Sequence, residues 1–221
     1  IAFTVSTDEK VAFPFYLRIP SWTQKAEVRV NGKKVSAAPV AGKYLCINRE
    51  WANGDRVELT LPMSLSMRTW QVNKNSVSVD YGPLTLSLKI VEKYVEKDSR
   101  ETAIGDSKWQ KGADPQKWPT TEIYPDSPWN YSLVLDKKEP LKNFKVIRKS
   151  WPADNYPFTV TSVPLEVKAI GRPVPEWKID ETGLCGVLPE EDAVKGDKEE
   201  ITLIPMGAAR LRISAFPNTK E

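Results

Sequence analysis

Apolar side chains recur at every second position through most of this chain. That period fits strands with one buried face and excludes amphipathic helices. Phe13, Phe15, Leu17 and Ile19 share one face, and Val57, Leu59 and Leu61 alternate with Arg56, Glu58 and Thr60. Val77, Val79 and Tyr81, then Leu84, Leu86, Leu88 and Ile90, repeat the pattern on either side of a Gly82-Pro83 break. Asn31-Gly32, following Ala26 to Val30, is a strong hairpin signal, because both residues tolerate the positive φ of a type I′ turn. Pro14 inside the second run predicts an edge strand or a bulge. Eighteen prolines, eight tryptophans and seven tyrosines suit an all-β chain with long ordered connections.

The predicted fold is all-β, with two consecutive antiparallel β-sandwich domains of jelly-roll or fibronectin-like type. Residues 1–75 form the first and residues 76–221 the second. Within residues 1–62, short strands recur at spacings of about 8–12 residues. Trp22 and Trp51 flank these strands and are expected in the core or at its rim. Residues 91–130 break the alternation and hold Trp109, Trp118, Tyr124 and Trp129. They read as an ordered, irregular insertion pinned by tryptophans, because disordered segments are poor in aromatics. Val91 to Val95 could make one helical turn. Further strands are expected at 131–135, 144–147, 158–160 and 165–170. A closing hairpin of 201–205 with 211–216 follows, and the last five residues are expected to fray.

Composition removes much chemistry. There is no histidine, so no Ser-His or Cys-His nucleophile, histidine metal site or imidazole base exists in this sequence. Cys46 and Cys185 form no Cys-x-x-Cys; two buried thiols or one disulfide both fit, the former being the simpler. The net charge is +3, with acidic and basic residues mixed. Nothing here predicts a nucleic-acid partner, and no apolar run reaches the roughly 18–20 residues of a membrane span. No glycine-rich phosphate loop and no calcium loop is present. Asp180-Glu181 and Glu190-Glu191-Asp192 are the evident carboxylate clusters, but both lie in turn-like sequence and read as solvated surface rather than a catalytic pair. No catalytic residue, metal ligand or cofactor is predicted. Sugars present flat C–H faces on which tryptophan stacks while amides bind hydroxyls. Trp118, Trp129, Asn130 and Tyr131 are therefore the carbohydrate-contact candidates, against the plainer reading that these rings staple the insertion down.

Five motifs in order carry a resemblance. They are Leu17-Arg18-Ile19-Pro20-Ser21-Trp22, Val28-Arg29-Val30-Asn31-Gly32, Ile47 to Asp55, Leu59-Thr60-Leu61-Pro62-Met63, and Val77 to Leu84. Together they resemble the C-terminal region of glycoside hydrolase family 127, the β-L-arabinofuranosidase-type enzymes. The likeness is dense over residues 1–90 and looser beyond, where Ser127 to Tyr131 and Leu211 to Ile213 continue it. It implies β-sandwiches that follow an (α/α)6 barrel carrying the chemistry. There the family uses a cysteine nucleophile in a zinc site of three cysteines and a glutamate, with a second glutamate as acid/base. Neither Cys46 nor Cys185 matches the nucleophile's motif, so no catalytic residue carries over. The chain also opens inside a strand pattern at Ile1-Ala2-Phe3, which is the expectation for a fragment of something longer. The expected partner is thus an upstream barrel of the same polypeptide, with a plant glycan as a second candidate. The family resemblance alone points to a periplasmic or secreted setting. A free-standing carbohydrate-binding module is the competing expectation, followed by a purely structural sandwich and an intrinsic enzyme.

Overall fold

A computed structural model describes residues 1–97, 114, 116–190 and 196–220. Trp109, Glu191 and Asp192 lie outside the described residues. The chain divides into two compact units, one of residues 1–66 with 80–83 and one of residues 67–79 with 84–221. The described residues are all-β apart from one short 3₁₀ turn at Met206–Ala208.

The first unit is a sandwich of two small sheets. Strands β1 (Ala2–Thr4), β6 (Arg56–Thr60), β3 (Glu27–Val30) and β4 (Lys33–Lys34) form one, in the order β1-β6-β3-β4. Strands β2 (Val11–Arg18) and β5 (Tyr44–Trp51) form the other, paired antiparallel. Leu17, Leu45 and Trp51 meet Val28, Val30, Val57 and Leu59 between the sheets. Each such side chain contributes about 1.5–3 kcal/mol by leaving water. Trp51 is fully buried, and its indole N–H donates to the Phe13 carbonyl at 2.9 Å. Phe13 stacks on it with ring centroids 5.7 Å apart. Pro14 is accommodated because β2 has a single hydrogen-bonded neighbour. Asn31 and Gly32 sit at φ 49° and 77°, giving the expected positive-φ hairpin between β3 and β4.

The two outer faces of this sandwich differ. Arg29 and Glu27 pair at 2.6 Å, and Arg56 and Glu58 at 3.1 Å, on the outside of the β6-β3 pair. The outside of β2-β5 carries Tyr16, Tyr44 and Cys46, all exposed, with charge at its ends from Arg18 and Glu50. Tyr16 faces Cys46 directly across the ladder. Their side chains hydrogen-bond, which holds the phenol above its ordinary pKa.

The second unit is built on an eight-stranded sheet. Its strands are β7 (Leu65–Trp70), β8 (Ser76–Tyr81), β9 (Leu84–Leu88), β12 (Tyr131–Leu135), β13 (Lys145–Arg148), β14 (Leu165–Pro173), β15 (Glu199–Pro205) and β16 (Asn218–Lys220). The order is β16-β12-β14-β15-β9-β8-β7, with β13 also beside β14. Strand β14 is long enough to take two partners on one side, β13 along 165–168 and β12 along 171–173. Leu203 and Ile204 are successive residues of β15 and both fully buried, so both faces of the sheet are covered there. Glu166 is a mostly buried carboxylate held by Lys89 at 2.7 Å and Lys149 at 2.6 Å.

Several expectations are corrected. Val91 to Val95 is not helical: β10 (Glu92–Lys97) pairs antiparallel with β11 (Thr120–Pro125) in a two-stranded ribbon. Both faces of that ribbon carry polar residues, so no alternation marks it. Phe158 to Val160 forms a turn rather than a strand, because the Thr159 hydroxyl accepts the Ser162 N–H at 3.1 Å. Ile201 to Pro205 is a strand, but 211–216 is irregular and does not close a hairpin with it. Instead the Ile213 carbonyl accepts Leu88 N–H at 2.8 Å, and Phe216 bridges Val77. Residues 218–220 do not fray, since β16 pairs parallel with β12, and Glu221 lies outside the described residues. Cys46 and Cys185 are free and exposed rather than buried. On β5 the period of two turns Leu45 and Trp51 inward and so turns Cys46 outward.

Candidate functional site

A cavity of about 820 Å³ opens in the second unit. Three segments line it: β11 with Trp129 beyond it, the loop 179–185, and the crossing segment 210–213. Each segment is fixed by its own bonds. In the loop, Ile179 and Cys185 form a β-bridge, and Gly183 adopts φ 84°. Asp180 accepts the Thr182 N–H at 2.8 Å, the Thr182 hydroxyl at 2.6 Å and the Leu184 N–H at 3.0 Å. These donors, with the Thr182 hydroxyl first, hold the Asp180 carboxyl below its usual range. Asp180, one of the carboxylates singled out from sequence, is thus the staple of a turn, the ordinary use of Asp in such a loop.

Two further carboxylates near the cavity are engaged as well, and Glu181 also lines it. Glu122 takes the Tyr124 hydroxyl. Glu92 accepts the Tyr94 hydroxyl at 2.6 Å and the Arg210 N–H at 2.8 Å, and pairs with the Arg210 guanidinium at 3.6 Å. The Glu92 hydrogen bond is the main reason the Tyr94 phenol sits above its ordinary pKa. Arg210 also lies over the Tyr94 ring, 5.9 Å from its centroid. This network ties the ribbon to the crossing segment. It offers an ordered wall of mixed polarity but no carboxylate pair held apart by its environment, which is what general acid and base work requires.

The four sugar-contact candidates fall in different settings. Trp118 is 71% exposed at one end of β11, and Trp129 lies past the other end. Six residues of strand separate those ends, about 20 Å. Trp129 is half-buried, lines the cavity, and meets Trp177 edge-on at 5.2 Å. The Asn130 amide donates to the Val174 carbonyl at 2.9 Å and the Trp177 carbonyl at 3.2 Å. Tyr131 is buried, and burial first, then a hydrogen bond to Glu199, pushes its pKa up to about 12. The structure brings Trp129 and Asn130 together around Trp177, and leaves Trp118 apart. Arg210, Glu92 and Trp177 were missed in the sequence. Their contacts span long stretches of chain, and no local pattern signals them.

The zinc site that the family resemblance implies does not fit here. Cys46 and Cys185 belong to different units, and among the described residues no three Cys, Asp or Glu side chains could hold a metal ion. No helix among the described residues is long and apolar enough to cross a membrane.

Comparison with known proteins supplies the family context. Residues 1–63 match the family model described as Beta-L-arabinofuranosidase, GH127 middle domain. No curated protein matches the chain. Among solved structures, a GH127 β-L-arabinofuranosidase from Geobacillus stearothermophilus is 21% identical with TM-score 0.56, over 99% of this chain and 28% of its own. A glycoside hydrolase is 20% identical with TM-score 0.53, over 94% of this chain and 28% of its own. A GH127 β-arabinofuranosidase is 20% identical with TM-score 0.52, over 96% of this chain and 29% of its own. At these identities the structures show a shared fold. The chain spans less than a third of the length of each.

Proposed function

We propose, from the match of residues 1–63 to the GH127 middle-domain model, that this chain is the non-catalytic accessory part of a larger glycosidase. Its two units support and flank an (α/α)6 catalytic barrel of the same polypeptide that acts on arabinose-containing plant glycans. The observation that carries this reading is the pairing of a match over residues 1–63 with a likeness to solved structures of which this chain makes up 28–29%. The test is the intact mass of the natural polypeptide, with hydrolysis of an aryl β-L-arabinofuranoside by it and by the 221-residue chain. A mass of roughly three times 24.9 kDa, and activity in the longer polypeptide alone, support the reading. A mass of 24.9 kDa sinks it.

A second reading is favoured by Trp129 on the cavity wall and the exposed ring of Trp118. On this reading the second unit binds a glycan through Trp118 and Trp129, with Asn130 and Tyr131 shaping the wall. It requires measurable heat of binding with arabinan, lost in Trp118→Ala or Trp129→Ala while the fold survives.

A further inference from the structure

We propose that the outward face of the β2-β5 sheet, centred on Tyr16, Tyr44 and Cys46, is the surface on which the catalytic part of the longer polypeptide docks. This rests on the accessory reading above and names the surface through which it works.

The argument is the asymmetry of the first unit. A sandwich that stands in water on both sides carries charge on both outer faces. Here the outside of β6-β3 does so, with Glu27, Arg29, Arg56 and Glu58 in two ion pairs. The outside of β2-β5 carries charge only at its two ends, Arg18 opposite Tyr44 and Glu50, which pairs with Lys10 at 3.5 Å. Between those ends the outward positions are Pro14, Tyr16, Cys46 and Asn48, with no charge among them, and Tyr44 extends the uncharged surface beside Arg18. The register sets Tyr16 opposite Cys46 and Tyr44 opposite Arg18, so the two phenol rings are diagonal neighbours. They are 62% and 67% exposed, far from the burial these rings reach in a core. Tyrosine enriched and charge depleted at the centre of a patch is the composition of an interface core. The phenol supplies apolar area and one hydrogen bond without buried charge.

The length of the related structures points to the occupant. The solved structures that share this fold are more than three times as long, so most of such a polypeptide lies outside the 221 residues. A partner in the same chain is present at high effective concentration and needs no assembly step. A second copy of this chain is the competing occupant.

The test uses the full-length natural polypeptide. Maleimide labelling of Cys46 is followed in the tryptic peptide Tyr44 to Arg49, in native buffer and in urea. Hydroxyl-radical footprinting of Tyr16 and Tyr44 gives a readout that does not depend on the thiol. The proposal expects Cys46 labelling to slow at least tenfold in the native protein, with both tyrosines protected and no dependence on protein concentration. Labelling at the unfolded rate, in a polypeptide of the full mass, overturns the docking face and leaves the accessory reading standing. Protection that disappears on dilution overturns it in favour of a second copy. A natural polypeptide no longer than this chain overturns both.

Discussion

The side-chain amide of Asn31 donates to the Asp55 carboxylate at 2.7 Å, so one contact fastens the β3-β4 hairpin to the turn that precedes β6. Asn31 also accepts the Arg56 N–H at 2.8 Å, and Asp55 accepts the Ala52 N–H at 3.0 Å. The residue that makes the hairpin turn is therefore also the residue that ties the turn to its neighbour.

Replacing Asn31 separates those two roles. Asn31→Gly keeps the positive φ and loses only the clamp. Asn31→Ala loses the clamp and adds the backbone cost of φ 49°, about 1–2 kcal/mol. Urea melts should place the alanine variant about 2–3 kcal/mol below the parent, and the glycine variant between the two. Equal stabilities for the two variants would contradict the strained-turn argument.

Stability should fall on acidification. Asp55 is held below its usual range chiefly by the Ala52 N–H and the Asn31 amide, with burial opposing. Burial pushes Glu166 up, but the Lys149 and Lys89 ammonium groups together outweigh it, and its pKa is lowered too. A carboxyl whose folded pKa is depressed contributes stability that is full above the unfolded value, about 4, and lost as pH drops through the folded value. The urea midpoint should thus hold near pH 6 and drop between pH 5 and pH 3. A midpoint that is flat over that window refutes the assignment.

Gly82 has no room for a side chain. A Cβ there would meet Met63 Cγ at 2.6 Å, on a backbone at φ 57°. Gly82→Ala should cost about 2–4 kcal/mol from the clash and the left-handed backbone together. Adding Met63→Ala should relieve the contacts with Cγ and Sδ but not the Cβ contact at 2.9 Å or the backbone share, so the double variant should stay below Met63→Ala alone in thermal melts.

Around the cavity, Trp177 should matter more to folding than Trp129. Trp177 is buried and its indole donates to the Gly186 carbonyl at 3.0 Å, whereas Trp129 offers it an edge. Trp177→Ala should cost about 3–5 kcal/mol. Trp129→Ala should cost about 1–2 kcal/mol, most of it the ring pair. Calorimetric unfolding of the two variants checks the order, and a larger loss for Trp129 would reverse it.

What the sequence revealed was whatever a local pattern could encode. The Asn31-Gly32 turn, the inward face of β2 and the buried Trp51 all follow from period and turn chemistry within a few residues. The ribbon β10-β11 did not show, because Lys93, Glu96, Lys97 and Thr120 leave it without an apolar face. Strand β16 did not show either, since Asn218-Thr219-Lys220 is polar and gains its partner from residues 133–135. For the candidate site, Trp129 was visible as an aromatic in an irregular stretch. The saturation of Asp180 by Thr182 and Leu184 was not, because sequence cannot say where a loop turns its own N–H groups. The exposure of Cys46 could have been read from the alternation of Leu45 and Ile47.

Strand β15 sits between β14 and β9, and among the described residues no other strand joins those two halves of the second unit's sheet. On a translating ribosome the β7-β8-β9 half emerges first, and the edge of β9 waits for a partner that begins only at Glu199. More than a hundred residues are made in that interval, all of the ribbon and the β12-β14 half among them. The two halves are therefore joined by insertion from within, and of the described strands only β16 is added afterwards at the rim. A nascent chain stalled before that point would hold two unjoined half-sheets with open edges, a state for holdase chaperones to shelter.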